Sequence, residues 1–413
     1  MNAIDIFTSE IKKGFRRSKW LPLITAFAVL SGTIGPSIHY PLIHIPFMVI
    51  GLLYAFKRGW QIELIAVPFL LYLPINVLLT SPDHIFNSWM RLALFSMVFV
   101  FASPLLKSPS FGMFRKKMLM GILFLCVLLG IGSFVCYFLG INYMPSQYDG
   151  SVMNDYYGSA GGFSGLLLQS IILGMFCGLG MIYLLYRSQL RPRRERVWYY
   201  VLIAILALTV LMSASRSALL SAIMGGLIML YQLYEKHGKF VQVLMTILLV
   251  GTLTLPLWES FTTGLETKIE ANKELGAYGS RTEKWSARMA EFSSSPLIGI
   301  GFASVDKRLD VVGMGGIVEP GSSWLCILSM TGIVGFILFA IILFRPFQYL
   351  KSHSTPYNAL LMGLLVFISS HMISEGYIFA GGSPLCFIAW LIFGCCNDAC
   401  DLKDRINKRI RFS

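Results

Sequence analysis

Long apolar stretches separated by shorter polar segments dominate the chain. A helix that crosses a membrane needs about 20 consecutive, mostly apolar residues, and twelve stretches of roughly this length can be marked. They are 20–37, 40–56, 61–79, 90–106, 118–140, 162–186, 198–213, 217–234, 240–257, 323–344, 358–375 and 379–396. The pattern predicts an all-α polytopic membrane protein with about twelve transmembrane helices.

The longest polar segment, 258–322, is expected to be a large extracytoplasmic loop that forms a lid within one membrane domain covering 1–413. Ser280 followed by Glu283 is typical of a capping box that opens a helix. An apolar face and an adjacent basic face are predicted for this short helix. The apolar face has Trp285, Met289 and Phe292, and the basic face has Arg281, Lys284 and Arg288. Such a helix can lie over the outer opening of the membrane domain. Anchoring of the helix at the membrane surface by anionic lipid explains the same pattern.

Charge and composition refine this picture. The chain is 55% hydrophobic and only 13% charged, and its net charge is +13. Most of its 34 Lys and Arg residues fall in segments that are cytoplasmic if the N-terminus is inside, which the positive-inside rule favours. We therefore expect both termini in the cytoplasm. The basic residues are divided among short loops without an aromatic stacking platform, so nucleic acid is excluded as a partner, and membrane lipids are expected instead.

The eight cysteines give no sign of a disulfide framework or a zinc site. Seven lie within apolar stretches and Cys400 lies just after the last one, and the outer loop contains none. They are interpreted as structural residues.

Basic residues on the predicted outer face are exceptions to the positive-inside rule and are therefore candidates for a function. Arg91 begins the fourth span, where contact with lipid phosphate is the alternative explanation. Arg216 lies among small residues at the head of the eighth span. The free N–H groups and positive dipole end of a helix N-terminus, together with Arg, predict an anion site there. The alternative is a packing corner between closely spaced helices.

Three further ionisable residues lie near the same face. His371 and Glu375 are four residues apart at the outer end of the eleventh span, so we expect them to share a helix face. Glu319 precedes the tenth span. Ionisable residues in a membrane span are candidates for function. A hydrogen-bonded pair that only holds helices together would explain His371 and Glu375 equally, and Glu319 could simply favour the helix start.

Three sequence runs now resemble the O-antigen ligase and polymerase superfamily. The first is Ser-Ala-Ser-Arg-Ser-Ala-Leu-Leu at 213–220. The second extends from Arg281 and Trp285 to Pro-Leu-Ile-Gly-Ile-Gly at 296–301, and the third begins Ser-Ser-Trp-Leu-Cys at 322 and continues to 336. Together they cover roughly residues 200 to 345.

The resemblance implies transfer of a glycan from a polyprenyl-diphosphate carrier to a glycan acceptor, on the periplasmic side of the inner membrane. It implies a glycosyltransferase that needs no nucleotide sugar, cofactor or metal and that inverts the anomeric centre. In that family the Arg of the first run and the Arg of the loop helix are thought to grip the diphosphate, which points to Arg216 and Arg281. We count Arg288 and Arg91 as further candidates for diphosphate binding.

One departure from the family concerns the general base. Ligases of this superfamily have His-Asn where this chain has Gly321 and Ser322, and Glu where it has Met330. The available bases are Glu375, which we favour, Glu319 and His371. The missing ligase residues favour a polysaccharide polymerase, which a chain-length regulator protein could accompany, over an O-antigen ligase acting on lipopolysaccharide core. A lipid-linked oligosaccharide transporter is the third hypothesis, but it should have charged or broken-helix sites near mid-membrane, where the predicted spans are nearly uncharged.

Overall fold

The computed structural model describes residues 21–34, 45–46, 48–49, 61–80, 88–107, 109–142, 163–234, 280–306 and 321–411. In this part of the chain there are eleven helices and one pair of short strands. They are α1 (Leu21–Ser31), β1 (Gln61–Ile62), α2 (Val67–Thr80), α3 (Ser88–Ala102), β2 (Leu106–Lys107), α4 (Pro109–Phe138), α5 (Ser170–Gln189), α6 (Arg193–Met212), α7 (Arg216–Tyr234), α8 (Ser280–Ser294), α9 (Ser323–Ser352), α10 (Pro356–Ser374) and α11 (Pro384–Arg411). The predicted span 240–257, most of 40–56, Glu319 and most of the 258–322 loop lie outside the described residues.

The prediction of an all-helical membrane protein is confirmed, but the count of twelve spans is not. Six helices in the described ranges are long and apolar enough to cross a membrane, namely α4, α5, α6, α7, α9 and α10. The apolar parts of α1, α2, α3 and α11 have 10–17 residues, which at 1.5 Å per residue falls short of a hydrocarbon core of about 30 Å. Several apolar helices nevertheless indicate a multi-pass membrane protein.

The core of the molecule is rich in aromatic side chains. Trp390 of α11 is fully buried, and its ring centroid lies 4.7 Å from that of Phe99 on α3 and 5.8 Å from that of Phe339 on α9. Phe379, which follows α10, packs against Phe302, which follows α8, at 5.0 Å. These contacts connect the membrane helices with the segments that lead out of α8 and α10.

The helices α7 and α10 approach so closely that their backbones touch. A Cβ atom added to Gly225 would lie 2.5 Å from the carbonyl oxygen of Gly363. Small residues of this kind permit close helix packing in membranes. The contact lies near the middle of both helices and fixes α7 relative to α10.

Ionic contacts gather at one end of the bundle. Arg115, fully buried near the start of α4, forms a two-pronged contact with Asp398 at 2.8 and 2.6 Å. Lys107 and Arg345 both pair with the carboxylate of Glu63. The three basic residues all come from segments predicted to be cytoplasmic. Which side of the membrane this end faces stays a prediction.

The opposite end of α4 lies near the start of α7. Tyr137, near the end of α4, packs against Phe163, whose N–H donates to the carbonyl of Met212 at the end of α6. The helix α7 begins four residues later, at Arg216. Arg115 and Arg216 therefore belong to opposite ends of the bundle, since α4 has 30 residues and so is about 45 Å long.

Helix α9 is interrupted at Gly332, which has φ 62° and ψ −170°. Residues 296–301, which we name the strap, fill the interruption. In this contact the N–H groups of Ile300 and Gly301 donate to the carbonyls of Ser329 and Met330 at 2.9 and 3.1 Å, and the N–H of Ile333 donates to the carbonyl of Pro296 at 2.9 Å. The strap therefore satisfies backbone groups that a continuous helix would pair internally.

Two polar side chains of α2 hold the strap in place. Tyr72 donates to the carbonyl of Thr331 at 2.8 Å, and Asn76 donates to the carbonyl of Ile298 at 2.6 Å. Asn76 also accepts from the N–H of Phe302 at 2.7 Å. The predicted span 323–344 lies within α9, which is long and apolar enough to cross a membrane, but the hydropathy of the sequence does not reveal the break at Gly332. A broken helix exists, but the strap occupies the break.

Candidate functional site

Three helix ends meet at the outer end predicted from the sequence. They are the start of α7, the start of α9 and the end of α10. The side chains that connect them are Ser217, Ser323 and Glu375. Positive dipole ends at two helix starts favour a negative charge in this region, so the meeting point suits a carboxylate.

Glu375 lies at the centre of this arrangement. It is 3% exposed, and its Oε1 accepts a long hydrogen bond of 3.3 Å from the hydroxyl of Ser217. The helix α10 ends at Ser374, and Glu375 caps it with extended backbone angles, φ −134° and ψ 134°. The prediction that His371 and Glu375 share a helix face was therefore wrong, because the chain leaves the helix before Glu375.

Ser323 fixes the backbone around Glu375. Its N–H and its hydroxyl both donate to the carbonyl of Glu375, at 2.9 and 2.6 Å. The same hydroxyl oxygen accepts from the N–H groups of Tyr377 and Ile378 at 3.0 and 3.3 Å. Ser322, directly before it, caps α9 by accepting from the N–H of Leu325.

His371 is fully buried in the last turn of α10. Its Nδ1 lies 3.3 Å from the hydroxyl of Tyr377, and its ring stacks on Phe367 with centroids 5.6 Å apart. The structure thus places His371 behind the turn that carries Glu375, in contact with that turn through Tyr377.

Arg216 is exposed and is the first residue of α7. The turn before it is tightly constrained: Ala214 has φ 52°, and a Cβ on Gly174 of α5 would lie 2.5 Å from the Cβ of Ser215. A non-glycine residue with positive φ is uncommon and often marks a functional turn. Ser217, the next residue, donates a hydrogen bond to the buried carboxylate of Glu375. The exposed Arg216 therefore lies one residue away from the side chain that contacts Glu375.

The helix predicted in the outer loop exists as α8 and begins at Ser280, as the capping pattern predicts. The indole N–H of Trp285 donates to the carbonyl of Gly321 at 3.2 Å, and the side chain of Lys284 covers Gly321. The first half of α8 therefore lies beside the start of α9. Arg281 occupies the first turn of α8, and its side chain is outside the described part of the structure.

The predicted basic face of α8 needs a correction at Arg288. This residue is 2% exposed, and its Nη2 pairs with Oε1 of the fully buried Glu291 at 2.8 Å. The same oxygen accepts from the N–H of Asp306 at 3.0 Å. Burial raises the pKa of Glu291, while Arg288 and the N–H of Asp306 act in the opposite direction. Arg288 faces the protein, where it pairs with Glu291 one turn further along, and Met289, which the sequence places on the apolar face, is 45% exposed.

Arg91 lies in the first turn of α3 and is half-buried. The turn that follows Glu375 packs on the same helix, since a Cβ on Gly381 would lie 2.5 Å from the backbone nitrogen of Phe95. Arg91 therefore belongs to an element that supports the site. The other predicted base, Glu319, lies outside the described residues.

The sequence alone assigns no function to some of the residues that form the site. Ser217 and Ser323 both fall within the recognised runs, next to Arg216 and Ser322, but nothing in a single sequence assigns them to Glu375, which is 158 and 52 residues away. Glu291 had a visible signal, because an acidic residue three positions after Arg288 is a typical helical ion pair.

A comparison with known families finds one match in the second half of the chain. Residues 201–340 match the family model described as O-antigen ligase. The matched segment contains Arg216, Ser217 and Ser323, as well as α8 and the strap, and it ends before Glu375. No curated protein matches the chain.

Proposed function

Because residues 201–340 match the family model described as O-antigen ligase, we propose that the chain is a membrane glycosyltransferase of the O-antigen ligase and polymerase superfamily that uses a polyprenyl-diphosphate-linked glycan as donor. The observation that carries the proposal is the junction of α7 with α10, where the exposed Arg216 adjoins the Ser217–Glu375 contact. This junction offers a cation for the diphosphate and a carboxylate for the acceptor.

Arg216 and Arg281 are the proposed diphosphate ligands. Arginine suits this task because its planar fork gives two parallel hydrogen bonds to phosphate oxygens and stays charged at any physiological pH. Arg216 also stands at a helix start, where backbone N–H groups favour an anion. The half-buried Arg91 is kept as a further contact. For Arg288, its burial against Glu291 supports a role in holding α8 in place.

The proposed reaction is a direct displacement at the anomeric carbon. The acceptor hydroxyl forms the new C–O bond as the bond to the diphosphate breaks, which inverts the anomeric centre. The leaving diphosphate gains negative charge, and Arg groups that bind it more tightly at that moment lower the barrier without a metal. The acceptor proton goes to a general base.

Glu375 is the proposed base, with Glu319 as the second candidate. The Glu375 carboxylate accepts a long hydrogen bond from Ser217, and a carboxylate at this position can take a proton from an acceptor hydroxyl. His371 is placed behind Glu375 by its contact with Tyr377. We therefore assign it a supporting role.

A polymerase fits this chain better than a ligase. The ligase histidine is absent, and the two positions concerned have other tasks here: Gly321 lies under Lys284, and Ser322 caps α9. Met330, where ligases have Glu, is 5% exposed at the helix break. The polymerase would join repeat units on polyprenyl carriers at the periplasmic face of the inner membrane, with both termini in the cytoplasm and a chain-length regulator as a possible partner protein. The family description favours ligation as the alternative.

Complementation of a deletion strain tests the proposal. Wild type, Arg216→Ala, Arg281→Ala and Glu375→Gln are expressed, their abundance is checked by blot, and surface polysaccharide is resolved on a gel. A polymerase predicts single repeat units in the deletion strain and in each variant. Long polymer that accumulates on the polyprenyl carrier would indicate a ligase, and unchanged glycan in the deletion strain would refute glycosyl transfer.

A further inference from the structure

Ser323 stands out among the site residues because every hydrogen-bonding capacity of its hydroxyl is used on one short segment. The hydroxyl proton goes to the carbonyl of Glu375 at 2.6 Å, and the oxygen accepts from Tyr377 and Ile378. The backbone N–H of Ser323 adds a fourth contact, again to Glu375. These four bonds tie 375–378 to the first residue of α9.

This segment has left its helix and has no helical bonds to hold it. Glu375 has extended backbone angles directly after α10 ends. Its carbonyl is a group that a helix end leaves without a partner inside the helix. The direction of the Glu375 side chain therefore depends on contacts from outside α10, which include the bonds of Ser323 to its backbone and the hydrogen bond from Ser217 to its carboxylate.

We propose that Ser323 is a positioning residue that sets the orientation of the Glu375 carboxylate toward the acceptor. The inference rests on the proposed function, in which Glu375 is the base. Ser323 is 0% exposed and its hydroxyl is fully engaged, so it acts through Glu375 and not on a sugar. A threonine has the same hydroxyl but adds a methyl group to a fully buried position, and alanine removes only the hydroxyl.

The four hydrogen bonds of Ser323 also connect the segment around Glu375 with α8. Ser323 begins α9, whose preceding residues contact Lys284 and Trp285 of α8. A shift of α8 would therefore reach Glu375 through the start of α9. Ser323 thus lies at the start of α9, which contacts both α8 and the backbone of Glu375.

A double-mutant cycle in the full-length protein, reconstituted in nanodiscs, tests the proposal. The donor and acceptor are the polyprenyl-diphosphate-linked glycan extracted from the deletion strain. The variants are Ser323→Ala, Glu375→Gln and their combination. Ser370→Ala is the control, because its hydroxyl bonds only to carbonyls of its own helix, at 2.8 and 3.0 Å.

We expect Ser323→Ala to lower kcat about 10- to 100-fold, the range that a displaced catalytic group produces, with KM for the donor changed less than about twofold. In the Glu375→Gln background the same change should cost nothing further, since residues that act as a unit are not additive. Ser370→Ala should match wild type.

Three outcomes would overturn the proposal. Equal loss from Ser323→Ala in both backgrounds would mean that Ser323 supports the fold alone, and no loss in the wild-type background would mean that it supports nothing. If Glu375→Gln keeps full turnover, the base assignment fails, and the positioning role fails with it. Absence of any glycan transfer by the wild-type protein would instead refute the proposed function.

Discussion

The hydroxyl of Ser217 lies 3.3 Å from Oε1 of Glu375 and donates a hydrogen bond to it. This contact joins the start of α7 to the end of α10 across 158 residues of sequence. It brings a helix start that carries an exposed arginine next to a buried carboxylate. The proposed roles follow from this contact: Arg216 binds the leaving group, and Glu375 is the base for the acceptor.

Replacing Glu375 by Gln should abolish most of the activity while the protein remains folded. Gln preserves the shape and can still accept from Ser217, but it cannot take a proton, and loss of a general base typically costs about 100- to 10,000-fold in rate. The measurement is repeat-unit transfer by the purified protein. Glu195→Gln is the matched control, because Glu195 is an exposed carboxylate paired with Arg191 at the other end of the bundle. A Glu375→Gln variant with wild-type turnover would shift the base to Glu319.

Arg216 should tolerate neither Ala nor Lys fully. Loss of a charge-assisted hydrogen bond costs about 1.5–3 kcal/mol, so we expect kcat/KM for the donor to fall about 10- to 100-fold in Arg216→Ala. Arg216→Lys should retain an intermediate activity, because a point charge remains but the two-pronged contact is lost.

The control for this pair is Arg194→Ala, an exposed arginine in the first turn of α6. Steady-state kinetics at several donor concentrations provide the measurement. Equal activity of Arg216→Lys and wild type would show that charge alone suffices, and a fully active Arg216→Ala would remove Arg216 from the diphosphate site.

The buried pair of Arg288 and Glu291 allows a test that separates ligand binding from positioning. Either single change, Arg288→Met or Glu291→Leu, leaves an uncompensated buried charge and should destabilise the protein by about 3–5 kcal/mol. Changing both removes the charges together and should restore stability, as replacement of buried ion pairs by apolar residues often does. The raised pKa of Glu291, caused mainly by burial, supports this expectation, since it indicates that the pairing does not fully compensate desolvation.

Thermal unfolding of the detergent-solubilised variants and their transfer activity should be measured together. Recovery of both in the double variant would assign Arg288 to the support of α8. A double variant that is stable but inactive would instead return Arg288 to the diphosphate site, as the sequence pattern suggests.

Much of the fold follows from hydropathy and helix-capping signals, and the reasons for the exceptions are physical. Ser280 and Ser322 mark helix starts through local chemistry that a sequence shows directly. Gly332 breaks α9 inside an unbroken apolar run, so only the contact with the strap reveals it. Glu375 appears helical by its spacing from His371, yet the end of α10 depends on Ser323, which is remote in sequence.

The helix break itself should be intolerant of a side chain. Gly332→Ala would place a methyl group 2.2 Å from the carbonyl oxygen of Leu297, at a φ of 62° that L residues rarely adopt. The backbone conformation alone costs about 1–3 kcal/mol for a non-glycine residue. We expect a lower unfolding temperature and lost activity. Gly226→Ala, where the nearest atom would be 3.7 Å away, should unfold like wild type. Equal stability of the two variants would show that the strap does not hold α9 in this conformation.

Membrane orientation can be measured by chemical labelling, because all eight native cysteines are buried and should react little. Ser293→Cys places a thiol on the exposed side of α8, and Leu190→Cys places one between α5 and α6, at a position that is 50% exposed. If both termini are cytoplasmic, a membrane-impermeant maleimide should label Ser293→Cys in intact spheroplasts and Leu190→Cys only after lysis. The distribution of Lys and Arg is the physical reason for this expectation. The reverse labelling would place Arg216 and Glu375 on the cytoplasmic side, where a periplasmic polymerase could not use them.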